Sequence, residues 1–430
     1  MLIAAIGFLL SFLLIILRVP IAIALGATGF IGFGYLVGWK QSAVMLAIIT
    51  KESAMSYTLA VIPLFVLMGN FVIGAGVSKE IFRSARLFMG HRRGGLAMAS
   101  ITASAGFATV CGSTIATVTT IGRISMPSMR ELGYKDSFGA ASVAAGSTLG
   151  IMIPPSTLMV VYSIMTETNI GALYAASIIP SFIGLFGYLL AVQWVAWRRP
   201  NDAPASERAT WHDALVSLKP IWSVAVLFCF VLMGIFAGWF TATESAGIGA
   251  AGALLLLIIR RRMTLRIFFD ALYDAAVTTA VVFGLIIGAV IFTEFLNYSG
   301  AHTALLDFVQ NSGFSPFTVI LVICAIYIGL GAVMEELSMI LLTVPLFFPV
   351  VIGLGFDPVW FGVMIIALCE IGLICPPLGV NLFVVRSFAP EIHVARVMTA
   401  ITPFVVTDIV RVFLLAVFPA LSLWLPTKLF

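Results

Sequence analysis

The sequence predicts an all-α polytopic membrane protein made of two inverted copies of one unit, each carrying a re-entrant hairpin and a broken helix. Three observations carry this prediction. Apolar runs of about 20 residues, the length that crosses a hydrocarbon core, recur along a chain of 430 residues that is 61% hydrophobic and only 10% charged. Proline pairs interrupt two of these runs, in "GIMIPPSTLMVV" from Gly150 and "GLICPPLGVNLF" from Gly372. Basic residues fall in opposite loops of the two halves.

The apolar segments lie near 2–17, 20–38, 57–77, 94–122, 138–165, 171–197, 220–240, 243–259, 271–297, 317–333, 337–353, 359–375, 377–390 and 398–425. A mean hydropathy of +1.14 fits no soluble domain, and a β-barrel would show shorter alternating segments. No cleavable signal peptide is expected, because the first apolar run passes straight into further membrane sequence. The net charge of +4 gives no reason to expect nucleic acid. The five cysteines stand singly in apolar stretches and read as small buried hydrophobes. Walker A, HExxH and GxSxG patterns are missing, which argues against ATP hydrolysis and familiar hydrolase chemistry. No enzyme, no transition metal and no cofactor are expected.

One strongly polar linker, residues 198–220, divides the halves. A shift of 222 residues (376 minus 154) lays Pro127 on Pro349, Gly133 on Gly355, Gly150 on Gly372, Pro154 on Pro376 and Pro155 on Pro377 without a gap. Three prolines in one register indicate a duplication. Loop 78–93 carries Lys79, Arg83, Arg86, Arg92 and Arg93, whereas its counterpart near 298–316 has no Lys or Arg. Loop 127–137 has Arg130 and Lys135, and 349–359 has no basic residue. The next pair reverses: 165–169 has none, and 386–396 carries Arg386 and Arg396. Under the positive-inside rule the two copies are therefore inserted upside down relative to each other, an arrangement typical of secondary transporters with a site near mid-membrane.

Residues 94–122 are flanked by Arg92, Arg93, Arg123 and Arg130, so both ends face the cytoplasm. At about 1.5 Å per residue this stretch cannot cross a ~30 Å core twice as helix, and a re-entrant hairpin is expected with its tip at "TVCGST". The second hairpin is expected over 328–348, with its tip near Met334–Glu336. The divisions that follow are 1–93 (scaffold helices and a basic arm), 94–197 (first repeat, with hairpin 94–122 and broken helix 138–165), 198–220 (linker), 221–316 (scaffold helices of the second half) and 317–430 (second repeat, with hairpin 328–348, broken helix 359–390 and a C-terminal helix).

Each proline removes a backbone donor and pushes its predecessor out of the α region. Unwound backbone survives at membrane depth only where protein or a water-filled cavity satisfies it. The freed carbonyls can hold a hard cation, and a half-helix N-terminus can face an anion. Simple kinking for packing is the alternative. No cluster of arginines stands in the apolar runs, so anion binding would lean on those N-termini and on Ser113, Thr114, Ser156 and Thr157. Glu335 and Glu336 sit in an apolar run, and at least one of them is expected to help bind a coupling cation or to poise the hairpin, a structural ion pair being the alternative. Glu370 and Glu244 are weaker cases, Glu244 also fitting a helix N-terminal acid. Asn381 could coordinate ion or substrate, or make a packing hydrogen bond. Gly284 and Gly288 form a GxxxG packing pattern.

The motifs "CGSTIATVTTIG" (111–122), "GIMIPPS" (150–156), "TATESAGIGA" (241–250), "PLFFPV" (345–350) and "GLICPPLGVNLF" (372–383) resemble the large membrane subunit of TRAP (tripartite ATP-independent periplasmic) transporters, the DctM type. The resemblance implies an inverted-repeat elevator transporter of the ion-transporter superfamily, in a bacterial cytoplasmic (inner) membrane. It implies sodium-coupled import of a small carboxylate, with a small four-helix (DctQ-type) membrane subunit and a periplasmic (DctP-type) solute-binding protein as separate partners. By motif position it implies sodium and substrate sites at Cys111, Gly112, Ser113, Thr114 and Thr117 with Gly150, Pro154, Pro155, Ser156 and Thr157, and at Met334, Glu335 and Glu336 with Gly372, Pro376, Pro377 and Asn381. The sequence departs from many relatives at Cys111, where Ser is common, and at Glu335, where Asp is common; Thr117 stands where some carry Asp. A stand-alone sodium–carboxylate symporter, a membrane enzyme using Glu335 and Glu336, and a channel are the rival readings.

Overall fold

The computed structural model describes residues 2–376 and 379–430, and among these residues the regular structure is entirely helical. The first half begins with α1 (Leu2–Ile16), α2 (Ile21–Leu36), α3 (Trp39–Met55), α4 (Val61–Gly74) and the amphipathic α5 (Val77–Met89). A helix–turn–helix hairpin follows, α6 (Gly95–Cys111) and α7 (Thr114–Glu131). The interrupted span α8 (Asp136–Thr148) and α9 (Thr157–Thr166) comes next, and then the long α10 (Ile170–Arg198). After α11 (Trp211–Ser217) the order recurs: α12 (Lys219–Phe236), α13 (Ala242–Ile259), α14 (Leu265–Tyr298), α15 (Ala301–Asn311), hairpin α16 (Pro316–Gly331) and α17 (Glu336–Gly353), interrupted span α18 (Pro358–Ile374) and α19 (Val380–Val384), and α20 (Val394–Val417). Two short turns of helix, α21 (Ala420–Leu423) and α22 (Pro426–Leu429), end the chain.

Among the described residues six helices are long and apolar enough to cross a membrane, and the pair α3 and α4, bent by 55°, makes a seventh if it is counted as one span. The chain is a multi-pass membrane protein. Helices start where capping chemistry starts them. Thr241 and Glu244 form a capping box on α13, so Glu244 is an N-terminal helix acid. Asp357 accepts from the Val359 and Trp360 amides ahead of Pro358, and Ser315 caps α16 ahead of Pro316.

The structure corrects several expected boundaries. The second hairpin is not 328–348: its arms are α16 and α17, and Pro345 and Pro349 lie inside α17 without ending it. The second arm of the first hairpin likewise runs past Pro127 to Glu131. A proline within a helix removes only one hydrogen bond, and packing outweighs that loss here. Helices also form outside the expected apolar segments, at α3, α5, α11 and α15.

Thr114 and Glu336, which open α7 and α17, are 222 positions apart. The helices from α5 to α8 and those from α15 to α18 start within two residues of that offset. The relation reaches back to the earliest helices, with α2 matching α13 and the bent α3–α4 matching the straight α14. Contacts show the inversion. Arg130 pairs with Asp136 at 3.0 Å and with Glu391, so loops 127–137 and 386–396 share one face. Tyr162 donates to the Pro358 carbonyl at 2.7 Å, so the end of α9 lies beside loop 349–359 on the other face. Glu391's own backbone N–H and the Arg130 guanidinium hold its carboxyl below the usual range.

Helix α2 lies along α14, and α4 along α13 and α14. The α2–α14 seam is closed by small residues: a Cβ at Gly288 would sit 2.4 Å from the Ala22 carbonyl oxygen, and one at Gly29 would strike the Phe292 backbone at 2.7 Å. Gly288→Ala is expected to lower stability by about 1–3 kcal/mol through overpacking, read as the thermal midpoint of the purified chain. Gly284→Ala, whose added Cβ has its nearest neighbour at 3.8 Å, should stay within about 0.5 kcal/mol of the parent. Equal losses would contradict close packing at Gly288.

Candidate functional site

At the first hairpin tip, α6 stops at Cys111 because Gly112 turns left-handed (φ 61°), a conformation glycine takes without penalty. Ser113 is extended and opens α7, its hydroxyl accepting from the Ala116 amide at 3.3 Å. A Cβ on Gly112 would lie 3.4 Å from the Thr157 hydroxyl, so the tip rests against the start of α9. Thr117 is buried, and its hydroxyl donates back to the Ser113 carbonyl at 2.8 Å.

The second tip holds buried Met334 and the extended Glu335, which opens α17 and accepts from the Ser338 hydroxyl at 3.1 Å. Glu336 accepts from Thr114 at 3.3 Å through Oε1, while its buried Oε2 has no hydrogen-bond partner. Among the described residues neither glutamate has a basic side chain within 4.0 Å. The two tips thus touch through residues in equivalent positions, a hydroxyl in one copy and a carboxylate in the other. The positive ends of α7 and α17 both point there. The arrangement suits a hard cation, which takes oxygen ligands.

The breaks sit beside the tips. After Thr148 the first span tightens to a 3₁₀ turn over Leu149–Ile151 and then leaves helical geometry through Met152–Ser156, where the Pro154–Pro155 peptide is cis. Ser156 closes the gap, its hydroxyl donating to the Ile151 carbonyl and accepting from the Met159 amide at 3.4 Å. Thr157 begins α9. In the second span α18 ends at Ile374, Cys375 is extended, Pro376 lies exposed in a turn, and Gly379 precedes α19. Pro377 lies outside the described residues.

Glycines let each break approach its own hairpin. A Cβ on Gly150 would overlap Ala108 Cβ at 2.2 Å, and one on Gly372 would come within 2.6 Å of Gly331 Cα. The second arms then cross over, α7 packing on α19 and α17 on α9. Phe348 of α17 meets Tyr162 of α9 edge-on at 6.2 Å.

Two expected residues make contacts apart from the Thr114–Glu336 pair. Asn381 is buried and donates to the Ala144 carbonyl and the Ser147 hydroxyl, both at 3.3 Å, so its amide nitrogen ties α19 to α8, while its Oδ1 has no hydrogen-bond partner among the described residues. Glu370 is ion-paired with Arg411, which also pairs with Asp408 at 2.9 Å. Tyr188 donates to Asp408 at 2.5 Å and lies 3.1 Å from the Thr148 hydroxyl. This buried network joins α8, α10, α18 and α20. Sequence reasoning passed over Arg411 because it sought clustered arginines; the signal was the Asp408–Arg411 i,i+3 spacing inside an apolar helix.

Residues 8–421 match the family described as tripartite ATP-independent periplasmic transporter, DctM component. The chain is 36% identical over 391 residues to the C4-dicarboxylate TRAP transporter large permease protein DctM of Pseudomonas aeruginosa, covering 90% of this chain and 91% of that one. It is 32% identical over 372 residues to the sialic acid TRAP transporter large permease protein SiaM of Vibrio cholerae, covering 86% of each. Its fold is similar to the crystal structure of the Alcanivorax borkumensis YdaH transporter, with a TM-score of 0.65, 14% identity, and coverage of 98% of this chain and 99% of that one.

Arg411→Ala leaves Glu370 and Asp408 without their counter-charge and is expected to cost about 3–5 kcal/mol of stability, measured as a lowered unfolding midpoint. Glu370→Gln combined with Arg411→Gln should lose less than the sum of the two single changes. Strict additivity would show that these groups do not act as a unit.

Proposed function

The chain belongs to the DctM component family of tripartite ATP-independent periplasmic transporters, and from this premise we propose that it is the membrane permease of a sodium-coupled importer of a small organic acid. The observation that carries the proposal is the Thr114–Glu336 contact: an unpartnered carboxylate oxygen held between two hairpin tips, with no protein cation beside it. Sodium, carried with the substrate, would take Glu336 and the carbonyls freed at the ends of α6 and α16. The substrate carboxylate would face the N-termini of α7 and α9, with Ser113, Thr114, Ser156 and Thr157 donating hydrogen bonds. Cys111, Gly112, Gly150 and Gly372 would serve through backbone alone, and Thr117 and Asn381 would hold the surrounding helices.

The two hairpins and the two interrupted spans form one body in this proposal, and it moves against α1–α4 and α12–α14 as an elevator. The named relatives carry C4-dicarboxylates and sialic acid, which makes those two acids the first to try. Family membership implies a small membrane subunit and a solute-binding protein, and we assign the complex to the bacterial inner membrane.

Uptake of radiolabelled succinate and of sialic acid into proteoliposomes tests the reading, with the permease, its small subunit and its binding protein present. Replacing sodium by potassium is expected to reduce uptake to background; unchanged uptake would remove sodium coupling. Glu336→Gln should raise the sodium concentration for half-maximal uptake at least tenfold, equivalent to about 1.4 kcal/mol. Leaving out the binding protein should abolish uptake, whereas retained uptake would mark a stand-alone symporter.

A further inference from the structure

We infer that the cavity where α8, α10 and α20 meet at the basic face binds the phosphate headgroup of an anionic phospholipid. The cavity encloses about 890 Å³ and is lined by Lys135, Trp194, Arg198, Arg199, Asp202 and Arg396, among others. Its one acid, Asp202, is matched by Lys135 at 3.4 Å. Among the described residues Arg198, Arg199 and Arg396 have no acidic partner within 4.0 Å. Three guanidinium groups therefore remain uncompensated around one concavity. Guanidinium is the side chain whose planar fork fits phosphate oxygens two at a time. Helices α8 and α20 both begin at this rim, and neither has a side chain capping its first amides, so two positive helix ends add to the field.

A solvated basic rim would explain the charges but not the wall beneath them. Phe182, Phe186, Leu190, Trp194 and Trp197 are between 50% and 74% exposed. Spaced three or four residues apart, they form one apolar stripe down α10. From Phe182 to Arg198 that stripe rises about 24 Å, longer than the ~15 Å that one leaflet contributes to a ~30 Å hydrocarbon core, so it can line a bound lipid's acyl chains along their length. The Arg198 guanidinium lies over Trp194, 5.3 Å from the ring centroid, at the point where stripe becomes cavity. Tryptophan marks headgroup level. Basic pockets between spans on the cytoplasmic side are suited to acidic headgroups. This site lies on that side because loops 127–137 and 386–396 are the basic loops of their repeats.

The test uses the full chain, purified and delipidated in neutral detergent and followed by native mass spectrometry. The probes are dihexanoyl-phosphatidylglycerol, dihexanoyl-phosphatidylcholine and inorganic phosphate. Saturable phosphatidylglycerol binding is expected, at least tenfold tighter than phosphatidylcholine. It should be weakened at least tenfold by Arg198→Gln with Arg396→Gln, and unchanged by Arg266→Gln on α14. Arg199→Gln gives a second, single-site variant, expected to weaken binding at least threefold. Equal affinity for phosphatidylcholine, wild-type affinity in the variants, or an equal loss in Arg266→Gln would overturn the inference. Displacement by inorganic phosphate at the concentration at which phosphatidylglycerol binds would overturn the lipid as its source and make the cavity a free-phosphate site.

Discussion

Hydrocarbon offers no hydrogen bonds, so every amide and carbonyl released by a broken helix must find a protein partner or an ion. That constraint explains the local chemistry at both interruptions. In the first, the Ser156 hydroxyl serves two backbone groups at once, accepting from the Met159 amide and donating to the Ile151 carbonyl. In the second, the backbone serves itself: the Gly379 amide donates to the Cys375 carbonyl at 3.0 Å across the break. At Glu336 Oε2 no hydrogen-bond partner is present among the described residues, which is the opening the proposed cation would fill.

The duplication makes this possible with little sequence. One helix–turn–helix and one interrupted span, used twice in opposite orientations, bring two tips and two breaks to a common place. Equivalent residues meet each other at Thr114 and Glu336, so the symmetry axis passes through the site. The copies then diverge where chemistry requires it: Ser113 faces Glu335 across the register, and Thr114 faces Glu336. One side supplies neutral donors and the other supplies charge. The α7–α19 and α17–α9 crossings also mean that neither hairpin packs on its own repeat alone.

Much of the architecture was legible because membranes simplify the rules. Run length, proline position and loop charge are strong signals when hydrocarbon removes most alternatives. Boundaries were less legible. Pro127, Pro345 and Pro349 look like stops but sit inside helices, since tertiary packing outweighs one lost hydrogen bond. The amphipathic α5 and α15 read as loops because basic residues in the one and polar residues in the other mask their apolar faces. Within the site, the glycine contacts at Gly150 and Gly372 and the meeting of Thr114 with Glu336 depend on three-dimensional approach, which no spacing encodes. Arg411 was half legible: its partner Asp408 stands three residues before it on α20, whereas Glu370 on α18 reaches it only through the fold.

The straight α14 stands where the first half has the bent α3–α4 pair, and its 34 residues measure about 51 Å. A bilayer core of ~30 Å cannot hold that length upright. Arg266, Asp270 and Asp274 lie in the first ten positions and Glu294 near the other end, leaving Ala275–Thr293, about 29 Å, to match the lipid. The N-terminal end therefore stands clear of the bilayer as a rigid post on the cytoplasmic side, and hydrophobic mismatch sets its height. In a thicker membrane Asp274 and Glu294, at the two ends of that stretch, are the charges drawn toward hydrocarbon, so the angle of this helix, and of everything packed along it, is tied to bilayer thickness.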